Sequence, residues 1–223
     1  MLRDEYGDQL DDDAKSYIRF AVDGATRMRS LVSDLLDYSR VETQGKALKP
    51  TELGDACAEA IENLQGVIEE FDVQISVPPL PTILGDQGQL VRLFQNLIGN
   101  AIKYRSEKPP QIQISIEEQD LDWIMIIRDN GIGMEPQYYD RIFVMFQRLH
   151  ARDQYSGTGI GLAICKRIVD RLRGRIWVES ELGKGSQFFV SVPKLTSMPE
   201  EGAIGHESRH AVLAAAAPTM FWC

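Results

Sequence analysis

Three polar side chains share one side of an otherwise apolar stretch, "NLIGNAIKY", in which Asn96, Asn100 and Lys103 follow one another. Residues three or four apart lie on the same face of a helix. An asparagine carbonyl can ligate Mg²⁺, which keeps water and substrate phosphates as its other ligands, and a lysine ammonium is a point charge for phosphate. The spacing therefore indicates a site for metal-bound phosphate, with a solvated helix edge as the alternative.

A carboxylate and two glycines follow the most apolar segment of the chain, "DWIMIIRD", in "RDNGIGM". Asp129 lies where the predicted strand ends, so its carboxylate can accept a hydrogen bond from an amino group such as that of adenine. Gly131 and Gly133 let the backbone approach a flat ligand or turn tightly. A bare turn is the alternative for this segment.

A third segment, "YSGTGIGLAI", carries Gly157, Gly159 and Gly161 at alternate positions and then turns apolar. The free backbone N–H groups at the start of a helix bind anions. The segment lacks the Gly-Lys-Ser/Thr of a P-loop, and it follows a polar, irregular stretch rather than a strand, unlike a dinucleotide fingerprint. A phosphate loop of some other class is therefore predicted.

The first element that must be placed is a long helix that begins near the acidic residues 11–13. Apolar side chains recur along it at spacings of three and four for about three heptads. These seam residues are Ile18, Ala21, Ala25, Met28, Val32 and Leu35. The helix packs either on its own domain or against a second copy, and Gly45 and Pro50 mark the boundary after it.

The remainder alternates between helical and strand patterns. Helices are predicted over 52–70, 86–104 and 161–173, and strands over "VQISV", "QIQISIE", "DWIMIIRD", "RIWVES" and "SQFFVSV". This mixture predicts an α+β fold, a two-layer α/β sandwich with a mixed sheet, preceded by a long coiled-coil-like helix. We expect a helical segment over 1–45, a main domain over 46–194 and a mobile tail over 195–223.

The bulk composition excludes several classes of protein. The 223 residues carry a formal net charge of −9, so we expect no nucleic-acid partner and no direct membrane contact. The cysteines, Cys57, Cys165 and Cys223, form neither metal-ligand spacing nor a disulfide framework. The acidic N-terminus is not a signal peptide, and the longest apolar run is too short to span a bilayer. A cytoplasmic location is predicted.

Five segments occur in the order of a known set of boxes. "NLIGNAIKY", "DNGIGM", "IFVMFQRLH", "GTGIGLAI" and "GKGSQF" resemble the N, G1, F, G2 and G3 boxes of the ATP-binding domain of sensor histidine kinases. The phytochrome-like branch is similar over "FQRLHARDQYSGTGIGLAICKRIVD" and "RIWVES". The helix with "MRSLVSDLLDYSRV" resembles the second helix of that family's dimerisation hairpin. The resemblance covers residues 6–194.

The resemblance implies a role for each matching residue. Asn100 would ligate the Mg²⁺ on the ATP phosphates, Asn96 and Lys103 would support the phosphates, Tyr104 would flank the adenine, and Asp129 would hold its amino group. The same boxes place in the ATP pocket Gly131, Ile132, Gly133, Gly157, Thr158, Gly159, Gly161 and Leu162.

The resemblance also implies a lid over the phosphates. Phe143 and Phe146 would anchor this lid, and Arg148 and Arg152 would neutralise the γ-phosphate. Together with Asn96 and Lys103, these two arginines are the residues predicted to take part in catalysis. A polar, glycine-flanked stretch suits a lid that closes and excludes water.

One position separates this chain from gyrase-like and chaperone-like ATPases, which place a glutamate four residues before the metal asparagine. That position is Asn96 here, and an amide cannot take a proton from water. Phosphoryl transfer to protein is therefore favoured over ATP hydrolysis. The resemblance implies that the phosphoacceptor histidine lies before Met1, in a longer kinase, because this family carries it on the first dimerisation helix. His150 falls in the lid, His206 (in "HESR") has no long apolar helix around it, and His210 has no supporting context.

The resemblance thus implies an ATP- and Mg²⁺-dependent protein histidine kinase. It would form a homodimer through its N-terminal helix and pass the phosphoryl group to a response-regulator receiver domain. Two other functions remain open at this point. One is an ATP-binding regulatory or docking module without transfer, and the other is a serine kinase of the anti-sigma type on the same fold.

Overall fold

The computed structural model describes residues 11–43, 47–147, 149 and 157–195. The helices are α1 Asp12–Thr43, α2 Leu53–Asn63, α3 Gln65–Glu70, α4 Gln87–Lys103 and α5 Gly161–Arg171. The strands are β1 Lys49–Glu52, β2 Gln74–Ser76, β3 Thr82–Gly85, β4 Gln111–Glu118, β5 Asp122–Asp129, β6 Arg175–Glu181 and β7 Gly185–Pro193. Two short 3₁₀ turns, Pro136–Tyr138 and Arg141–Phe143, lie between β5 and α5.

The main sheet has five strands in the order β2-β4-β5-β7-β6. β2 runs parallel to β4, and every other neighbouring pair is antiparallel. β5, the strand with the most apolar sequence, lies at the centre, as its uninterrupted apolar run predicted. The mixed sheet with helices beside it confirms the predicted α+β sandwich.

The hydrophobic core lies between one face of this sheet and helices α2, α4 and α5. Asp86 precedes helix α4 and caps it, because its side chain accepts a hydrogen bond from the Gln89 N–H, and the apolar stripe of the helix faces the core. The inward residues predicted from the pattern are all fully buried: Leu90, Leu93, Phe94, Leu97 and Ile98. Burial of this stripe fixes the rotation of α4, so the polar stripe of the same helix must face away from the core.

Two local features differ from the sequence-based expectation. The predicted helix over 52–70 is broken at Leu64, whose ψ of 3° is not helical, so α2 and α3 are separate. β1 and β3 form a small antiparallel sheet that was not predicted. Its strands have only four residues each, and Pro50 lies within β1, so neither shows a clear alternating pattern.

Helix α1 presents two different faces. One face docks on the main domain, where Val41 is buried and the Tyr38 hydroxyl accepts a hydrogen bond from Arg167 of α5 at 2.9 Å. The seam predicted from the sequence lies on another face and is exposed, with Met28 63% and Val32 59% accessible. Within the described residues, no helix is long and apolar enough to span a membrane.

Candidate functional site

A cavity of about 410 Å³ opens between α4, α5, the end of β5 and one face of α1. Its volume is in the range of small-molecule and cofactor sites. Twelve of the residues that the sequence assigned to a nucleotide pocket line this one cavity: Asn96, Asn100, Lys103, Tyr104, Asp129, Ile132, Gly133, Gly157, Thr158, Gly159, Gly161 and Leu162. Three segments separated in the sequence therefore meet at one place.

One end of the cavity carries amide and ammonium groups from α4 next to the glycine loop. The loop approaches α4 closely, since a Cβ built at Gly157 would lie 2.7 Å from Lys103 Nζ. A Cβ at Gly161 would lie 2.6 Å from Asn96 Oδ1. Glycine at these two positions leaves the backbone of the loop against the polar stripe of α4. An ammonium beside backbone at a helix start is suited to bind phosphate.

The two asparagines of α4 differ in their local bonding. Asn96 donates from Nδ2 to the Arg92 carbonyl at 2.9 Å, which leaves its Oδ1 toward Gly161. Asn100 lines the cavity, and no other group in the described part of the chain forms a hydrogen bond with its side chain. An amide oxygen that faces a cavity without such a partner fits a single protein ligand to Mg²⁺.

The other end of the cavity is built around Asp129, the last residue of β5. Its Oδ1 accepts hydrogen bonds from the backbone N–H groups of Gly131 at 2.8 Å and Ser186 at 3.1 Å. Burial raises the pKa of the Asp129 carboxyl above its ordinary value, and the two N–H donors partly offset this effect. A half-buried, oriented carboxylate of this kind can accept a hydrogen bond from a ligand amino group.

The glycines of "DNGIGM" hold this carboxylate in place. A Cβ at Gly131 would overlap the Tyr104 carbonyl oxygen, which accepts the Ile132 N–H at 2.9 Å. Gly133 has a φ of +65°, and a Cβ there would overlap the Glu181 carbonyl oxygen. Gly131 does not line the cavity but packs against Tyr104, which does. Tight packing against α4 and β6 therefore explains both glycines.

The predicted lid is described only in part. Phe143 packs against the core, but Phe146 is 59% exposed, so the expected anchoring by Phe146 is wrong. The Phe146 N–H instead donates to the Gly159 carbonyl at 3.0 Å, which ties the glycine loop to this segment through the backbone. Arg148 and Arg152, predicted to neutralise phosphate, lie outside the described residues.

Several lining residues were missed by the sequence reasoning. Ser186 and Phe188 come from β7, and Ser30 and Asp34 come from α1. Asp34 Oδ2 accepts a hydrogen bond from Thr158 Oγ1 at 2.5 Å, across 124 positions of the chain. Ser30 and Asp34 are four apart on α1, so helical spacing marks them as a pair on one face, but it gives no sign that this face meets the cavity.

The comparisons with known proteins agree with this geometry. The family described as histidine kinase-, DNA gyrase B- and HSP90-like ATPase matches residues 85–196. Cyanobacterial phytochrome A of Nostoc sp. is 52% identical over 193 residues, which are 86% of this chain and 25% of that protein. Phytochrome-like protein Cph1 of Synechocystis sp. is 46% identical over 86% of this chain and 26% of its own length. The chain thus spans about a quarter of these relatives.

Two solved structures are similar to this chain in fold. Full-length ShkA, in complex with AMPPNP, is 28% identical with a TM-score of 0.64, over 82% of this chain and 39% of that one. The histidine kinase AdeS of Acinetobacter baumannii is 21% identical with a TM-score of 0.61, over 83% of this chain and 86% of that one, and it shows the fold alone. The chain therefore belongs to the histidine kinase-, DNA gyrase B- and HSP90-like ATPase family, and its ATPase domain is that of a sensor histidine kinase.

Proposed function

We propose that the cavity binds ATP with Mg²⁺ and that the domain transfers the γ-phosphoryl group to a histidine, for relay to the receiver domain of a response regulator. The ATP-binding domain would comprise residues 46–194, and residues 1–45 would form part of a dimerisation and phosphotransfer domain in a cytoplasmic homodimer. Residues 195–223 would form a tail outside both domains.

The observation that carries this proposal is the polarity of the cavity. Asp129, a hydrogen-bond acceptor, is held by the Gly131 and Ser186 N–H groups, whereas Lys103 lies beside the glycine loop, and all of them line or support one cavity. ATP carries the complementary groups, because its adenine amino group is a donor and its phosphates are anions. The resemblance of the five boxes supports the same orientation of the nucleotide.

Asn100 would supply the protein oxygen for Mg²⁺, and Lys103 would neutralise phosphate charge beside Gly157. Bound there, Mg²⁺ would supply positive charge that offsets the negative charge of the phosphoryl group in transfer. The Asn96 amide cannot act as a general base toward water, which disfavours hydrolysis. In the transfer, a histidine ring nitrogen forms a bond to the γ-phosphorus, the bond from phosphorus to the β–γ bridging oxygen breaks, and ADP leaves.

A nucleotide titration tests the binding site. Asp129→Asn and Asn100→Asp should each weaken binding of Mg·ATP by at least about tenfold, because one loses a charged acceptor and the other adds a negative charge beside phosphate. Asp122→Asn is the matched control, since Asp122 begins the same strand whose last residue is Asp129. Affinity unchanged in both cavity variants would show that ATP binds elsewhere or not at all.

A second experiment separates phosphoryl transfer from ATP binding alone. Labelled ATP is incubated with this chain together with a full-length dimeric kinase whose own ATP site has been inactivated. Acid-labile label on a histidine of that kinase supports transfer. ATP binding without any such label would favour the regulatory or docking module instead.

A further inference from the structure

Helix α1, which precedes the residues matched by the ATPase family, forms part of the cavity wall beside the glycine loop. Ser30 and Asp34 of α1 line the same cavity as Asn100 and Lys103. Asp34 is only 21% exposed, so its carboxylate is held largely between α1 and the domain. A negatively charged side chain therefore lies where the proposed function places the phosphates of ATP.

The bonds of Asp34 tie α1 to both segments that form this end of the cavity. Asp34 Oδ2 accepts the hydrogen bond from Thr158 Oγ1 at 2.5 Å, in the glycine loop. Asp34 Oδ1 pairs with Arg92 of α4 at 3.0 Å, one turn before Asn96. Asp37 pairs with the same guanidinium at 2.9 Å. Two carboxylates thus share one cation, which leaves this group of three side chains with a net negative charge.

Of these three side chains only Asp34 lines the cavity, so its carboxylate is the charge that opposes the binding of a phosphate ligand. Movement of the glycine loop relative to α1 would break the hydrogen bond from Thr158 to Asp34. We propose that Asp34 is a positioning residue that senses the phosphate charge of the nucleotide. In this proposal, docking of α1 lowers the affinity for ATP, and bound ATP weakens the docking of α1 by the same factor. The inference rests on the proposed function, since it requires that the cavity bind ATP.

Asp34→Asn isolates the charge, because an amide oxygen can still accept the hydrogen bond from Thr158. We expect this variant to bind Mg·ATP roughly three- to tenfold more tightly than the wild type, from the loss of one like charge nearby. The gain should be smaller for Mg·ADP, which carries one phosphate fewer. Asp37→Asn is the matched control, since Asp37 pairs with Arg92 but does not line the cavity, and its affinity should change less than about twofold.

Hydrogen exchange measures the effect of bound ATP on the docking of α1. Saturating Mg·ATP should increase amide exchange across residues 30–41 of the wild-type chain, because this part of α1 loses its contacts with α4 and α5. The increase should be smaller in Asp34→Asn, where the repulsion is removed.

The results distinguish this inference from the function on which it rests. If the wild type binds Mg·ATP but Asp34→Asn binds it equally or more weakly, the role of Asp34 is wrong while the nucleotide site stands. The inference is equally wrong if ATP and ADP gain the same factor, since Asp34 would then not sense the third phosphate. If the wild type binds no nucleotide, both proposals fail together.

Discussion

Asp129 and Ser186 lie 57 positions apart, yet the Ser186 N–H donates to the Asp129 carboxylate at 3.1 Å. The bond joins the end of β5 to the start of β7, where the Ser186 hydroxyl also lies 2.9 Å from that of Ser180 in β6. The backbone of the β6–β7 hairpin therefore orients the carboxylate at one end of the cavity. The "GKGSQF" segment therefore contributes a backbone donor, the Ser186 N–H, to the site.

This orientation predicts selection of the nucleotide base. The adenine amino group would donate to Asp129, whereas guanine presents an oxo group at the same position of the ring. Two acceptors would then face each other, and the carboxylate would gain no donor from the base, so GTP should bind at least about a hundredfold more weakly than ATP. Competition titrations with both nucleotides measure the ratio, and equal affinities would contradict this role of Asp129.

The raised pKa of Asp129 predicts a pH dependence of stability. Its pKa in the folded protein lies above the ordinary value of 3.8, so between the two values the folded state binds more protons than the unfolded state. The contribution of Asp129 to the free energy of unfolding is therefore largest below its ordinary pKa. This contribution is lost as pH rises through the pKa of Asp129 in the folded protein. Asp129→Asn removes the titration, so the variant should gain stability relative to the wild type as pH rises above the ordinary value of 3.8.

Urea unfolding of both proteins across this pH range measures the difference. Asp122→Asn controls for the general loss of one charge on the same strand. If the stability of Asp129→Asn minus that of the wild type stays constant with pH, or decreases as pH rises, the raised pKa of Asp129 is contradicted.

Two glycines with positive φ provide a matched pair for testing the packing behind the cavity. A Cβ at Gly133 would overlap the Glu181 carbonyl oxygen, whereas a Cβ at Gly183 would meet nothing within 4 Å. Gly183→Ala should cost about 1 kcal/mol from backbone strain alone, and Gly133→Ala should cost at least about 3 kcal/mol. Thermal or urea unfolding gives both values, and equal costs would show that the close approach of Gly133 to β6 is absent.

The exposed seam of α1 predicts a dimer. Val32 and Leu35 are 59% and 49% exposed, on a different face from Asp34 and Tyr38. Val32→Glu should dissociate the dimer while leaving ATP affinity within about twofold, since a charge in an apolar seam loses its hydration. Ser33→Glu adds the same charge outside the predicted seam and should leave the dimer intact.

Sedimentation at several protein concentrations measures the oligomeric state of both variants. Deletion of residues 1–45 should also abolish the dimer, an outcome that counts against the anti-sigma type of serine kinase. A dimer that survives both Val32→Glu and the deletion would place the contact between copies on the ATPase domain instead.

The parts of the fold that were predicted from the sequence are those with a long, regular pattern. The apolar stripe of α4 predicted which residues of that helix are buried in the core. The apolar run of β5 predicted a central strand that ends at Asp129. The β1–β3 pair was missed because four-residue strands with a proline show no clear alternation. The break at Leu64 was missed because the only glycine near it, Gly66, lies inside an otherwise helical pattern, where a single glycine is tolerated.

In the candidate site, too, residues placed by a regular pattern were predicted, and residues placed by tertiary contacts were not. Asn96, Asn100 and Lys103 could be found because helical spacing alone places them together. Asp34 could not, because its approach to Thr158 depends on how α1 docks, which is a tertiary contact across 124 positions. Phe146 was misjudged because aromatic character predicts burial only on average, and this side chain is 59% exposed.

The position of the nucleotide can be measured in a crystal structure of the protein with Mg²⁺ and a non-hydrolysable ATP analogue. We expect the adenine amino group within hydrogen-bond distance of the Asp129 carboxylate, the phosphates beside Lys103 and the glycine loop, and Mg²⁺ on the Asn100 side-chain oxygen. A nucleotide bound in the reverse orientation, or outside this cavity, would contradict this expectation.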